Sequence, residues 1–253
     1  MSDPFPAYVI VGATGGIGTA VCRQLAAKGA RLSLVARDEA KLNALAEELR
    51  RTNSAGEYHV HPADAAKSAE VDGAFAQAIQ AFGTLAGATN LVGSILLKPA
   101  HATTDDEFDQ TLTLNTHTAF YVLRAAAKAM LATGGSIVLA SSVAARIGLM
   151  NHEAIAAAKG AVNGLVLAAA ATYASRNVRV NAVAPGLVDT PLAAKITGSE
   201  LALKASAAMH PLGRIGKPDD VAAAVAWLLD PATTWVTGQI LGIDGGLSAV
   251  RSK

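Results

Sequence analysis

Seven short runs of β-branched and apolar residues alternate along the chain with longer Ala- and Leu-rich stretches of helical period, and no other feature restricts the fold as much. The runs fall at 7–11, 31–36, 57–62, 84–89, 136–140, 178–183 and 239–243, and the helical stretches at about 17–28, 39–52, 66–82, 104–132, 152–174 and 218–229. The run Ser136-Ile137-Val138-Leu139-Ala140 lacks polar alternation, as a parallel strand covered by helices on both faces requires. No repeat-length period recurs, and no Gly/Ser-rich or Pro-rich linker divides the chain. Alternation of this kind over 253 residues predicts one doubly wound α/β domain, 1–253, with a seven-stranded parallel sheet flanked by helices on both faces.

Charge and cysteine usage exclude several functions. The 21 Lys and Arg against 20 Asp and Glu are scattered singly, so neither nucleic acid nor a membrane is the expected partner. One cysteine, Cys22, permits no intramolecular disulfide and no multi-thiolate metal site. His59 and His61 share a strand face, yet only Asp64 is near enough to join them, and no metal site is expected. Met1-Ser2-Asp3-Pro4 has neither the basic flank nor the apolar run of a signal peptide, and Gly, Asn, Lys or Arg interrupt the apolar stretches elsewhere. The expectation is a cytoplasmic protein.

The first chemical signal is Val11-Gly12-Ala13-Thr14-Gly15-Gly16-Ile17-Gly18, where an apolar run ends and a helical stretch begins. Glycines at 12, 16 and 18 allow a tight turn and close backbone approach to a pyrophosphate, and helix N–H groups from Ile17 face the anion. Glycine spacing alone also suits a turn without a ligand. The strand before it and the helix after it favour the phosphate reading.

The spacing Gly-x-x-x-Gly-x-Gly resembles the cofactor fingerprint of the short-chain dehydrogenase/reductase family, whose fold is a single Rossmann-type domain. Further residues match in chain order. Asp64 resembles the acid that contacts adenine, and Asn90 to Gly93 resembles a degraded Asn-Asn-Ala-Gly. Asn115 falls at the family's active-site Asn, Ser142 at its catalytic Ser and Lys159 at its catalytic, ribose-binding Lys. Asn181 to Gly186 with Thr190 resembles the Pro-Gly loop at the nicotinamide; Pro211 to Arg214 and Gly238 to Gly246 resemble the carboxyl-terminal segment. The resemblance therefore implies a cofactor-binding set of Gly12, Thr14, Gly15, Gly16, Ile17, Gly18, Arg37, Asp64, Asn90, Lys159, Pro185, Gly186, Val188 and Thr190.

One departure matters more than these matches. The family's catalytic motif is Tyr-x-x-x-Lys, and four residues before Lys159 stands Ile155. Isoleucine donates no proton. On a helix His152, Ile155 and Lys159 lie on one stripe, which makes His152 the nearby side chain able to serve as acid, although beside Asn151 it also suits a helix start.

A carboxylate at the end of the second strand selects NAD by binding the ribose 2′-hydroxyl. Here Leu34-Val35-Ala36-Arg37 ends in a guanidinium suited to a 2′-phosphate, so NADP(H) is expected over NAD(H) unless Arg37 merely pairs with Asp38. Two functions fit: an oxidoreductase moving hydride to or from a small carbonyl, alcohol or related substrate with an atypical proton donor, or a catalytically silent NADP(H)-binding sensor or assembly protein. Retention of Ser142 and Asn115 favours the enzyme. A helical lid is expected at about 187–209, with mostly small or apolar side chains. The family resemblance implies a homotetramer built through the 104–132 and 152–174 helices, with Ala125 to Ala127, Ala129 and Ala168 to Ala171 allowing close approach.

Overall fold

The computed structural model describes residues 5–250; Met1 to Pro4 and 251–253 lie outside the described residues. The strands β1 (Ala7–Val11), β2 (Arg31–Ala36), β3 (Tyr58–Pro62), β4 (Gly87–Asn90), β5 (Gly135–Ala140), β6 (Val178–Pro185) and β7 (Ile240–Ile243) form one sheet in the order β3-β2-β1-β4-β5-β6-β7. Every neighbouring pair is parallel. All seven expected strands are present. The fourth starts at Gly87 rather than 84, and the sixth runs on to Pro185, which pairs with Ile243.

Strand residues feed two cores by turns. Ala7, Val9 and Val11 of β1 join one apolar cluster while Tyr8 and Ile10 join the other, and all five are fully buried. The first cluster is completed by α3 (Ser68–Phe82), α5 (Thr118–Met130) and α6 (Glu153–Tyr173), through Phe75, Val122, Met130, Val162 and Val166. The second draws on α1 (Gly16–Ala27), α2 (Glu39–Thr52) and α9 (Pro218–Leu229), through Val21, Leu42, Val225 and Leu229. Burial on both faces is why the strands read as continuous apolar runs.

The stretch 104–132 is not one helix. It is divided into α4 (Asp105–Leu112), a wider π-helical turn over Thr113–His117, and α5. The cause is side-chain competition for the backbone: Asn115 Nδ2 donates to the Thr111 carbonyl at 2.9 Å, and Thr118 Oγ1 to that of Leu114 at 2.9 Å. The helix begins with a capping box, Thr104 with Glu107, where the sequence puts Asp and Glu.

Two further expectations need correction. Ala125, Ala126 and Ala127 are buried in the protein's own core, so they cannot line a contact with another copy. Apolar stretches are not all interrupted short of membrane-spanning length either, since 153–176 is long and apolar enough by composition to cross a bilayer. In the fold this helix lies against β6, with Ala158, Val162, Val166 and Ala169 buried.

The segment expected to form a lid, 187–209, contains a 3-10 turn at Pro191–Ala193, α7 (Ala194–Thr197) and α8 (Glu200–Met209). No residue of α8 is buried. Its Leu201 is 81% exposed, and Ala202, Leu203, Ser206 and Ala207 form a half-buried stripe along the other side.

Candidate active site

The order of the sheet reverses at β1 and β4, and the crevice beyond their carboxyl ends is where an open parallel sheet binds ligands. Gly12 enters the turn after β1 with φ +87°, a conformation in which a side chain would be strained. A Cβ at Gly18 would overlap the Gly12 carbonyl oxygen, so the first turn of α1 closes only with glycine there. Gly15 caps α1 and carries no side chain to accept the first N–H groups, and the first turn contains no acid. The positive end of the helix is thus open to an anion. Thr190 presses on the same point, its Cγ2 lying 2.8 Å from where a Cβ of Gly16 would be. Thr14 is half-buried in the turn, and Ile17 packs on the second core cluster.

Other residues matched by resemblance hold the crevice together. Asn90 Nδ2 donates to Thr118 Oγ1 at 3.1 Å and its Oδ1 accepts from the Val92 N–H, so this amide braces the loop after β4. Asp64 Oδ1 accepts from the Ala66 N–H in the turn after β3. Pro185, Gly186 and Val188 continue β6 into a loop stitched to Gly216: Gly216 N–H donates to the Leu187 carbonyl at 2.8 Å and Asp189 N–H to that of Gly216 at 2.9 Å.

Lys159, Asn115 and Gly93 converge. A Cβ on Gly93 would lie 2.8 Å from Asn115 Oδ1 and 3.4 Å from Lys159 Nζ. Lys159 is 6% exposed and its Nζ donates to the Ala140 carbonyl at 2.7 Å. The other two ammonium donors have no acceptor among the described residues. Burial pushes its pKa down from 10.5 to about 8. A vicinal diol offers hydroxyl oxygens that suit these donors, and ribose carries one. Asn115 is fully occupied: Nδ2 donates to Ser94 Oγ and to the Thr111 carbonyl, and Oδ1 accepts from the Ser94 N–H. Its partner Ser94 was missed by sequence reasoning, although it is a hydroxyl just beyond a strand's carboxyl end.

Ser142, half-buried after β5, accepts from the Ala144 N–H at 3.2 Å, which leaves its own O–H to donate. Its neighbour Ser141 donates to Asn163 Oδ1 at 2.6 Å and fixes that loop to α6, another pairing the sequence alone did not show. Ile155 is 5% exposed, one turn before Lys159. His152 caps α6 instead of lying within it, and Asn151 adopts φ +63° rather than acting as the cap. The His152 Nδ1–H donates to the Met150 carbonyl at 2.7 Å, because a carbonyl only accepts. Arg37 is exposed at the end of β2. It is not tied to Asp38, whose carboxylate accepts from the Lys41 N–H and pairs with Lys41 Nζ at 3.1 Å. Among the described residues no cluster of three or more His, Cys, Asp or Glu side chains could hold a metal.

An open helix end beside a glycine turn, pressed by a threonine loop, together with a buried ammonium beyond the carboxyl ends of β4 and β5, has the layout of a dinucleotide-binding oxidoreductase. Comparison with known proteins narrows that class. The sequence profile described as Enoyl-(Acyl carrier protein) reductase matches residues 12–248. Galactitol 2-dehydrogenase (L-tagatose-forming) of Cereibacter sphaeroides is 38% identical over 242 residues, covering 94% of this chain and 92% of its own. A short-chain type dehydrogenase/reductase from Mycobacterium ulcerans superposes with a TM-score of 0.93 at 33% identity, covering 99% of this chain and 92% of that one. Actinorhodin polyketide ketoreductase with NADPH (TM-score 0.90, 28% identity, coverage 99% and 100%) and a Brucella melitensis 3-ketoacyl-(acyl-carrier-protein) reductase with NADH (0.85, 27%, 96% and 98%) share the fold. The chain belongs to the short-chain dehydrogenase/reductase family and is an NAD(P)-dependent oxidoreductase acting on a small molecule.

Proposed function

We propose that this enzyme uses NADP(H) in preference to NAD(H) and moves hydride to or from a small carbonyl, alcohol or related substrate with a proton donor other than tyrosine. The observation that carries the cofactor choice is Arg37, exposed at the end of β2 and left unpaired by Asp38, which is engaged with Lys41. A planar guanidinium there attracts a 2′-phosphate, and no carboxylate occupies the adjoining Ala36 to accept a ribose hydroxyl.

When bound, the nicotinamide donates or accepts the hydride. Lys159 holds the adjoining ribose through its two remaining donors, and Thr190 with Pro185, Gly186 and Val188 borders the nicotinamide half. The free O–H of Ser142 orients the substrate oxygen. His152 is the proposed acid: with Nδ1–H committed to Met150, a proton on Nε2 makes the ring an imidazolium able to release it. Residues 187–209 form the lid, and their small or apolar side chains suit an apolar or mixed substrate.

The test is NADPH and NADH consumption with a panel of ketones, aldehydes, imines and activated alkenes. NADPH is expected to be favoured at least tenfold in kcat/KM, and Arg37→Glu to erase or reverse the ratio. Equal use of both cofactors by the unmodified enzyme overturns the assignment.

We also propose a cytoplasmic homotetramer. The small residues that allow helix approach are Ala157, Gly160, Ala161, Gly164 and Ala168 on the exposed side of α6, flanked by Leu167 at 56% exposure, with Phe120 of α5 at 44%. Light scattering at micromolar concentration should return four times the 25.6 kDa chain mass; a monomer rejects the assembly.

A further inference from the structure

His210, at the carboxyl end of α8, is 4% exposed and uses both ring nitrogens. Nδ1–H donates to the Ser206 carbonyl in the last turn of α8 at 2.7 Å, and Nε2 accepts the Leu187 N–H at 3.3 Å. Gly186 makes this possible, since a Cβ there would stand 2.5 Å from Nε2. The ring therefore joins a lid helix with no buried residue of its own to the loop whose Thr190 rests on Gly16 at the start of α1. An apolar ring or chain in its place would leave the Leu187 N–H without its acceptor, and the loop would relax away from the phosphate turn.

We infer that His210 is a positioning residue that sets the Gly186–Thr190 loop against the diphosphate and nicotinamide half of the cofactor and links that loop to the lid. The inference rests on the dinucleotide-binding reading of this crevice. It does not depend on which dinucleotide is preferred.

The test measures dissociation constants of NADPH, NADH and adenosine 2′,5′-bisphosphate, the last of which carries the 2′-phosphate and the adenosine-side 5′-phosphate but lacks the nicotinamide half. His210→Leu should weaken the preferred dinucleotide about tenfold while leaving adenosine 2′,5′-bisphosphate unchanged. His210→Gln, whose amide again offers an acceptor and a donor, should restore affinity to within about twofold. Gly186→Ala, which pushes the ring aside without removing it, should reproduce the selective loss and keeps the test open if His210→Leu does not fold. Equal weakening of all three ligands, or a glutamine variant no better than leucine, overturns the inference. NADH bound more tightly than NADPH with the same selective loss overturns the cofactor preference alone.

Discussion

Ile155→Tyr is expected to raise carbonyl reduction by about 10²–10⁴-fold, the range for a positioned general acid. Ile155 is one turn from Lys159 on the helix that also bears Asn163, and Ser142 lies in the loop that Asn163 holds through Ser141. A phenol at that point would meet a lysine ammonium whose charge lowers a hydroxyl's pKa, and a serine whose O–H is free. The cost is steric. The isoleucine side chain is buried, and the larger ring should lower stability by about 1–3 kcal/mol. The variant is compared with the wild type on the carbonyl panel after its fold and NADPH binding are verified. In the same assay His152→Ala should slow the wild type and leave Ile155→Tyr nearly unaffected. A folded, NADPH-binding Ile155→Tyr without gain would show that residue 155 does not face the reacting carbonyl, and a wild type indifferent to His152→Ala would move the proton source to water.

Lys159→Met should separate stability from function with opposite signs. The folded lysine has its pKa held near 8 against 10.5, because burial without an acidic partner penalises the charged form. Between those values the unfolded chain binds more protons than the folded one, so wild-type stability rises with pH from 8 to 10.5 and the full penalty applies below 8. Replacing the ammonium with an uncharged, slightly shorter thioether should stabilise the cofactor-free protein by about 2–3 kcal/mol at pH 7, a gain that shrinks as pH rises toward 10.5. NADPH affinity should fall about 100-fold, from the loss of two charge-assisted hydrogen bonds to ribose. Thermal unfolding across pH 6–10 with and without NADPH reads both effects. A variant less stable than wild type at pH 7, or one that binds NADPH unchanged, contradicts the role given to this side chain.

The layout of the fold was legible because periodicity and turn chemistry agree along most of the chain. β1 and β2, and helices α2 and α9, start and stop where the apolar pattern places them. The break between α4 and α5 was hidden, because it arises from hydrogen bonds that Asn115 and Thr118 make to carbonyls of the same helix, and the apolar spacing continues across it. Glycine spacing marked the turn that opens α1, and the isolated lysine in an alanine-rich helix marked the buried Lys159. Which amides and hydroxyls were already committed was not legible: Asn115 with Ser94, Asn90 with Thr118 and His210 with Leu187 pair across long sequence separations. The burial of Ala125 to Ala127 was missed because they were read by their small size alone, although the apolar face they share with Val122, Leu123 and Met130 turns toward the core.

The sheet separates two apolar clusters that share strands but not helices, and this has a use in engineering. Lys159 and Ile155 on α6 and Asn115 beside α5 belong to the layer formed by α3, α5 and α6. The opposite layer, where Leu42, Leu45 and Leu49 of α2 meet Leu25 of α1 and Leu32 of β2, contains none of them. Helix substitutions on opposite sides of the sheet act on different side-chain clusters, and their free-energy effects should sum within about 0.5 kcal/mol. Better packing beneath α2 can therefore offset the destabilisation of a remodelled α6, and mutational libraries for new substrates can treat the two layers as independent variables.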